Sequence, residues 1–187
     1  WRRAFNTLPP GRFEAAAAYD SSRGQVLVHG GCNGPALGDF WSYATTSPAA
    51  AIGFGTGCSG SAGVPKLAPG PHSLPWLGGS FATRLTNSPN NASVAWLLGT
   101  SRTTWASRAL PMPLASIGMP GCSLLASPDV IQAGSSQNGS SSWSLPVPAN
   151  PWLDGQHLYI QAFAIDPSAN ALGITSSNAL DARIGTK

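Results

Sequence analysis

Gly55-Thr-Gly-Cys-Ser-Gly60 fits G-x-G-x-x-G, the spacing with which a strand–turn–helix unit cradles a dinucleotide pyrophosphate. That chemistry needs a helix opening on the last glycine and an acid about 20 residues further on to hold the ribose. Here Ser61-Ala-Gly-Val-Pro65 follows, and the proline forbids a helix running through. Position 80 is serine, and no carboxylate occurs between Asp39 and Asp129. The nucleotide reading fails. The glycines suit instead a backbone that turns and approaches its neighbours closely around a half-cystine.

The other reactive side chains are equally sparse. His29, His72 and His157 have no partner at i+4 and no acid pattern beside them, so they read as structural or surface residues. The acids are Glu14, Asp20, Asp39, Asp129, Asp154, Asp166 and Asp181, and most adjoin turns, where aspartate bonds its own backbone. One Glu in the chain weighs against a glycosidase pair, and no G-x-S-x-G elbow is present. No catalytic residue, cofactor or metal is therefore assigned, and the chain is not expected to be an enzyme.

Cys32, Cys58 and Cys122 are too few and too far apart for a C-x-x-C zinc site. Cys58 and Cys122 share a Gly-Cys-Ser context. A bond between them would close a loop of about 64 residues, contribute about 4 kcal/mol on the chain-entropy model, and imply an oxidising compartment. Cys32 is then left over, either buried and inert or available for an intermolecular bridge. Asn91-Ala-Ser and Asn138-Gly-Ser are sequons for glycan attachment. Among the tryptophans, Trp41 and Trp143 lie in alternating stretches and read as core. Trp76 and Trp152 lie in Pro-flanked loops and are the candidates for sugar stacking or an interface.

What must position these residues is a chain of 187 residues, long enough for a sizeable core. Charged residues make up 9% against an apolar 42%, a balance that excludes disorder. The ten basic residues are scattered singly apart from Arg2-Arg3, and the net charge is +3. A nucleic-acid binder would cluster them with aromatics between. No stretch is apolar enough for a membrane span. The first residue is Trp1 rather than Met, which fits a mature product whose export signal has been removed.

Apolar residues recur with period two. Phe81-Ala-Thr-Arg-Leu-Thr86 puts Phe81, Thr83 and Leu85 on one face, Ser142-Trp-Ser-Leu-Pro-Val147 alternates, and Val94–Leu98 and Leu158–Ile165 are short runs rich in aromatic and branched residues. Breakers such as Asn87-Ser-Pro-Asn-Asn91 and Gly134-Ser-Ser-Gln-Asn-Gly139 separate them. Short strands punctuated in this way predict an all-β fold of sandwich or jelly-roll type. The composition shifts near residue 47, so two regions are expected, 1–46 and 47–187.

Before that boundary come Pro9-Pro-Gly-Arg12, Ala15-Ala-Ala-Ala-Tyr-Asp20, the turn Ser21-Ser-Arg-Gly24, Gln25-Val-Leu-Val-His29, Gly30-Gly31 and Gly38-Asp-Phe-Trp-Ser-Tyr43. In that order they resemble one kelch repeat of the bacterial secreted type, with departures at His29 and Cys32. The resemblance implies a short blade-like antiparallel sheet ahead of the sandwich. From Ile52 to Gly185, Gly53-Phe-Gly-Thr-Gly-Cys58, Gly118-Met-Pro-Gly-Cys122, Tyr159-Ile-Gln-Ala-Phe-Ala164 and Gly173-Ile-Thr-Ser-Ser-Asn178 are similar to a C-terminal module of large secreted bacterial proteins. That likeness implies an extracellular β-sandwich with a Cys58–Cys122 bridge.

A single blade cannot close a propeller, and repeat units generally need about three neighbours to bury their faces. The expectation is a non-enzymatic extracellular structural protein, assembling head to tail as its N-terminal strands complete a neighbour's sheet. Trp1, Val26, Leu27, Val28 and Trp41 are the assembly residues. The alternative is a carbohydrate-binding or surface-anchoring module of a secreted protein. Expected partners are further copies of the chain and glycans, with no nucleic acid.

Overall fold

The computed structural model describes residues 9–20, 25–44 and 48–186. Trp1, the turn at 21–24 and the connector at 45–47 lie outside the described residues. The chain divides into two compact units, one within Trp1–Pro48 and the other Ala49–Gly185. Among the described residues the fold is all-β, broken only by two single-turn 3₁₀ segments.

Unit 1 is a three-stranded antiparallel sheet of β1 (Ala16–Asp20), β2 (Gln25–His29) and β3 (Phe40–Ala44), in that order. The alanine run is a strand because it pairs residue for residue with β2, Ala16 facing His29 and Tyr19 facing Val26. Directly paired residues share a face. One face therefore carries Ala17, Val28, Trp41, Tyr19, Val26 and Tyr43, and the other Ala16, His29, Phe40, Ala18, Leu27 and Ser42.

Unit 2 is a sandwich. Its strands are β4 (Ala50–Phe54), β5 (Lys66–Pro69), β6 (Ser80–Thr86) and β7 (Ser93–Gly99). The two-residue β8 (Thr104–Trp105), β9 (Arg108–Ala109), β10 (Met112–Pro113) and β11 (Ser123–Leu124) come next. The series ends with β12 (Val130–Ser135), β13 (Ser140–Pro146), β14 (His157–Ile165) and β15 (Ile174–Arg183). A five-stranded antiparallel sheet in the order β12-β7-β14-β15-β4 faces a three-stranded sheet β13-β6-β5. Period-two alternation works as the sequence predicts: Phe81, Thr83 and Leu85 of β6 are buried and pack against Val94, Trp96, Ile160, Ala162 and Leu180 of the facing sheet.

The run Val94-Ala-Trp-Leu-Leu98 is apolar throughout because β7 is covered on both faces. Val94 and Trp96 point into the sandwich. Leu97 and Ala95 lie under a segment, 100–129, that folds back over the outer face with Leu110, Leu114, Met119 and Leu124. The buried Gln161 fastens this covering segment: its Oε1 accepts from the Leu125 N–H at 2.9 Å, and its Nε2 donates to the Ser123 and Ser177 carbonyls at 2.9 and 3.0 Å. At the segment's base Gly99 passes so close to Ser127 that a Cβ there would stand 1.9 Å from the Ser127 carbonyl oxygen. Between the sheets, Asn178 of β15 reaches across to the main chain of Leu67 in β5.

Candidate functional site

Cys58 and Cys122 are disulfide-bonded, with their Cα atoms 4.8 Å apart. The bridge ties the chain leaving β4 to the covering segment, inside a small apolar cluster with Leu97, Leu114 and Met119. The glycine stretch exists for this approach. The Cys58 N–H bonds the Ser176 carbonyl at 3.0 Å, and a Cβ at Gly57 would lie 2.5 Å from that same carbonyl oxygen. No helix opens on Gly60, whose neighbours form a tight turn with Gly63. A bridge of this kind persists where the surroundings are oxidising.

Two aspartates brace the covering segment and the nearby turns rather than forming a reactive pair. Asp129 accepts from the Thr100 hydroxyl and N–H at 2.7 and 2.8 Å and from Ser127 at 3.0 Å. The Thr100 hydroxyl bond does most to hold its carboxyl below the ordinary range, against the cost of burial. At Asp166 burial is the largest influence and pushes the carboxyl up, yet the bonds from the Ser61 N–H and from Ser168 together outweigh it and the net shift is downward. Among the described residues no three His, Cys, Asp or Glu side chains gather as metal ligands, and no helix is long and apolar enough to cross a membrane.

The residues singled out for assembly divide sharply. Trp1 lies outside the described residues. Val28 and Trp41 are buried, Trp41 at 2% exposure, and Val26 and Leu27 are half-buried. Trp41 belongs to a clasp whose parts the sequence carries as separate motifs. Arg12 forks onto Asp39 with bonds of 2.6 and 2.9 Å and onto the Gly30 carbonyl at 2.9 Å. The Trp41 indole N–H donates to the same carboxylate, and the guanidinium lies 5.7 Å from the Trp41 ring centroid. The Arg12 bond, followed by that of Trp41, holds the Asp39 carboxyl far below the ordinary range.

Outside this clasp the sheet of unit 1 is unusually apolar at its surface. Tyr19, Phe40 and Phe13 are each about 60% exposed and Tyr43 is 42% exposed. Ala16, Ala18, Leu27, His29 and Phe40 line a shallow groove of about 200 Å³ on the sheet face opposite Trp41. These aromatic positions are the ones that sequence reasoning missed. Their signal was a sheet apolar on both faces, which reads from sequence like a strand buried on both sides. Cys32 is a free, half-buried thiol whose backbone pairs with Phe13.

The two loop tryptophans part company. Trp76 is half-buried and bridges Gly185 through its backbone. Trp152 is 87% exposed on a 3₁₀ turn, Pro151–Leu153, where its N–H bonds the Asn150 side chain at 3.1 Å. The two sequon asparagines are exposed and come together at one tip of the sandwich. Asn91 and Asn138 have positive φ of 54° and 49°, and the Asn138 N–H donates to Asn90 at 2.8 Å.

His157, for which the sequence offers no acid, finds one in the fold: its Nδ1 lies 2.5 Å from Asp181 on the next strand. No protein-family model matches the chain, and no curated protein sequence matches it significantly.

Proposed function

We propose that this chain is a non-enzymatic extracellular structural protein, the subunit of a head-to-tail filament in which the N-terminal strands of one copy complete the unit 1 sheet of the next. The observation that carries the reading is a sheet of three strands among the described residues, with Phe13, Tyr19, Phe40 and Tyr43 of unit 1 partly or largely exposed. Isolated sheets of this size are marginal until a face is covered. The groove face offers Ala16, Ala18, Leu27 and Phe40 beside His29, an apolar surface against which a different surface of a neighbouring copy can pack. A contact between unlike surfaces that does not close generates a filament, and strand addition supplies main-chain bonds. The bridge, the exposed sequons and the low charge suit a durable extracellular material.

Light scattering and negative-stain imaging of the chain at micromolar concentration test this. Assemblies are expected for the intact chain and lost on Phe40→Asp or on removal of residues 1–10, with the sandwich still folded. A monomer at these concentrations rejects the reading. The second reading, a carbohydrate-binding or surface-anchoring module, is favoured by one observation, the outward indole of Trp152 on its rigid turn. It predicts that Trp152→Ala loses retention on polysaccharide while the fold is unchanged.

A further inference from the structure

Among the described residues, the outer face of the five-stranded sheet is covered only in part by the 100–129 segment. Beyond it, β4, β15 and β14 present two cross-strand rows. One is Ile52, Asp181 and Tyr159, and the other is Ala50, Arg183 and His157. Their neighbours Ala51, Leu180, Ala182, Leu158 and Ile160 point into the core, so both rows face outward. Ile52 is 67% exposed. A sheet face turned to water ordinarily carries short polar side chains in these positions. This one carries an aliphatic residue, rings and a charge network.

Asp181 is the centre. Its Oδ1 is 2.5 Å from His157 Nδ1, and its Oδ2 is 3.5 Å from Arg102 Nη1. The Arg102 guanidinium sits 5.5 Å from the Phe54 ring centroid, the Phe54 ring meets Tyr159 edge-on at 6.0 Å, and Tyr159 stacks on His157 at 6.3 Å. Each carboxylate oxygen has a second lone pair. Arg102, with its side chain half in solvent, keeps further N–H donors beside them.

We propose that this face binds a neutral saccharide. Acceptors and donors side by side match adjacent ring hydroxyls, which both give and take hydrogen bonds. Ile52 and the ring of Tyr159 offer the apolar contact that the C–H face of a pyranose needs. The central group is a carboxylate, so the ligand must donate to it, as ring hydroxyls do. A peptide strand needs free main-chain groups, and on a sheet face these are spent on neighbouring strands, leaving only side chains to bind. The contacts invoked do not include Trp152, and the inference does not rest on assembly by unit 1.

Electrophoresis of the full chain through gels containing soluble β-glucan, mannan or xylan tests it, with alginate as the acidic comparison. At least one neutral polymer is expected to retard the chain. Arg102→Ala and Asp181→Asn should each weaken that binding by about tenfold or more, the loss expected for a charge-assisted bond. Trp152→Ala should leave it unchanged. Arg102 is exposed enough that its truncation spares the fold, which thermal melting verifies. Migration unaffected by every neutral polymer overturns the proposal. So does retardation that survives both substitutions, that is lost in Trp152→Ala instead, or that appears only with alginate and vanishes at about 0.15 M salt.

Discussion

The side-chain amide of Asn178 bonds both main-chain groups of Leu67: Oδ1 accepts from the N–H at 2.8 Å and Nδ2 donates to the carbonyl at 3.0 Å. A side chain of one sheet thus stands in for a strand beside the other, where Leu67 is 2% exposed. Truncation in Asn178→Ala strands two buried polar groups, each costing about 1–3 kcal/mol. The expected result is a urea midpoint lowered by at least about 2 kcal/mol of stability with an unchanged slope. Asn178→Asp keeps the acceptor but sets a carboxylate against the Leu67 carbonyl, and should be no better than alanine.

Gly99→Ala is expected to be among the most damaging single-methyl additions in the chain. The new Cβ would fall 1.9 Å from the Ser127 carbonyl oxygen, and neither β7 nor the base of the covering segment can retreat without breaking the bonds that Ser127 accepts from Thr100 and Ser101 at 3.1 Å. A loss near the top of the overpacking range, about 3 kcal/mol, is predicted. Differential scanning calorimetry measures it, and a shift under about 1 kcal/mol would show that the segment moves freely.

Peptide mapping without reductant should recover residues 58 and 122 in one linked fragment. Replacing both by serine should cost about 2–5 kcal/mol, and hydrogen exchange should rise first at Leu110, Leu114 and Met119, which pack about the bridge. Free thiols at both positions in protein from an oxidising compartment would remove the staple from this account.

Acid should loosen unit 1 through Asp39. Its folded carboxyl is held down by the Arg12 and Trp41 bonds, so the folded state binds the proton less readily than the unfolded chain. The contribution is complete above the ordinary carboxylate value near 3.8 and is lost as pH falls below it toward the lowered folded value. Hydrogen exchange across β2 and β3 should therefore be slower in the native protein than in Asp39→Asn at pH 7, with the difference closing below about pH 3. A difference independent of pH would show that Arg12 contributes by packing alone.

The strands of the sandwich were legible where one rule governed them. Phe81, Thr83 and Leu85 announce a half-buried strand, because alternation has a single cause there. Leu97 and Phe163 were opaque, since what covers them is a segment of two-residue strands with no period of its own. His157 and Asp181 are 24 residues apart and meet only because β14 and β15 pair in one register. The clasp of Arg12, Asp39 and Trp41 was visible as three motif letters, but not as one ion-paired unit. Trp76 and Trp152 looked alike in their proline-flanked loops, but Trp76 is half-buried beside its backbone bridge to Gly185 whereas Trp152 is exposed.

The bridge also has a mechanical meaning. Arg183 pairs with Ala50, so the start of β4 and the end of β15 lie at the same end of the sheet, and tension applied there peels one strand from the other a pair at a time. Peeling reaches Cys58 a few residues beyond β4 and stops, because the load then passes through sulfur to Cys122, 64 positions further along the sequence, and skips the chain between them. At about 3.5 Å per extended residue, roughly 220 Å of chain is withheld from stretching as long as the bond is oxidised. Reduction would return that slack, turning a short tether into a long one.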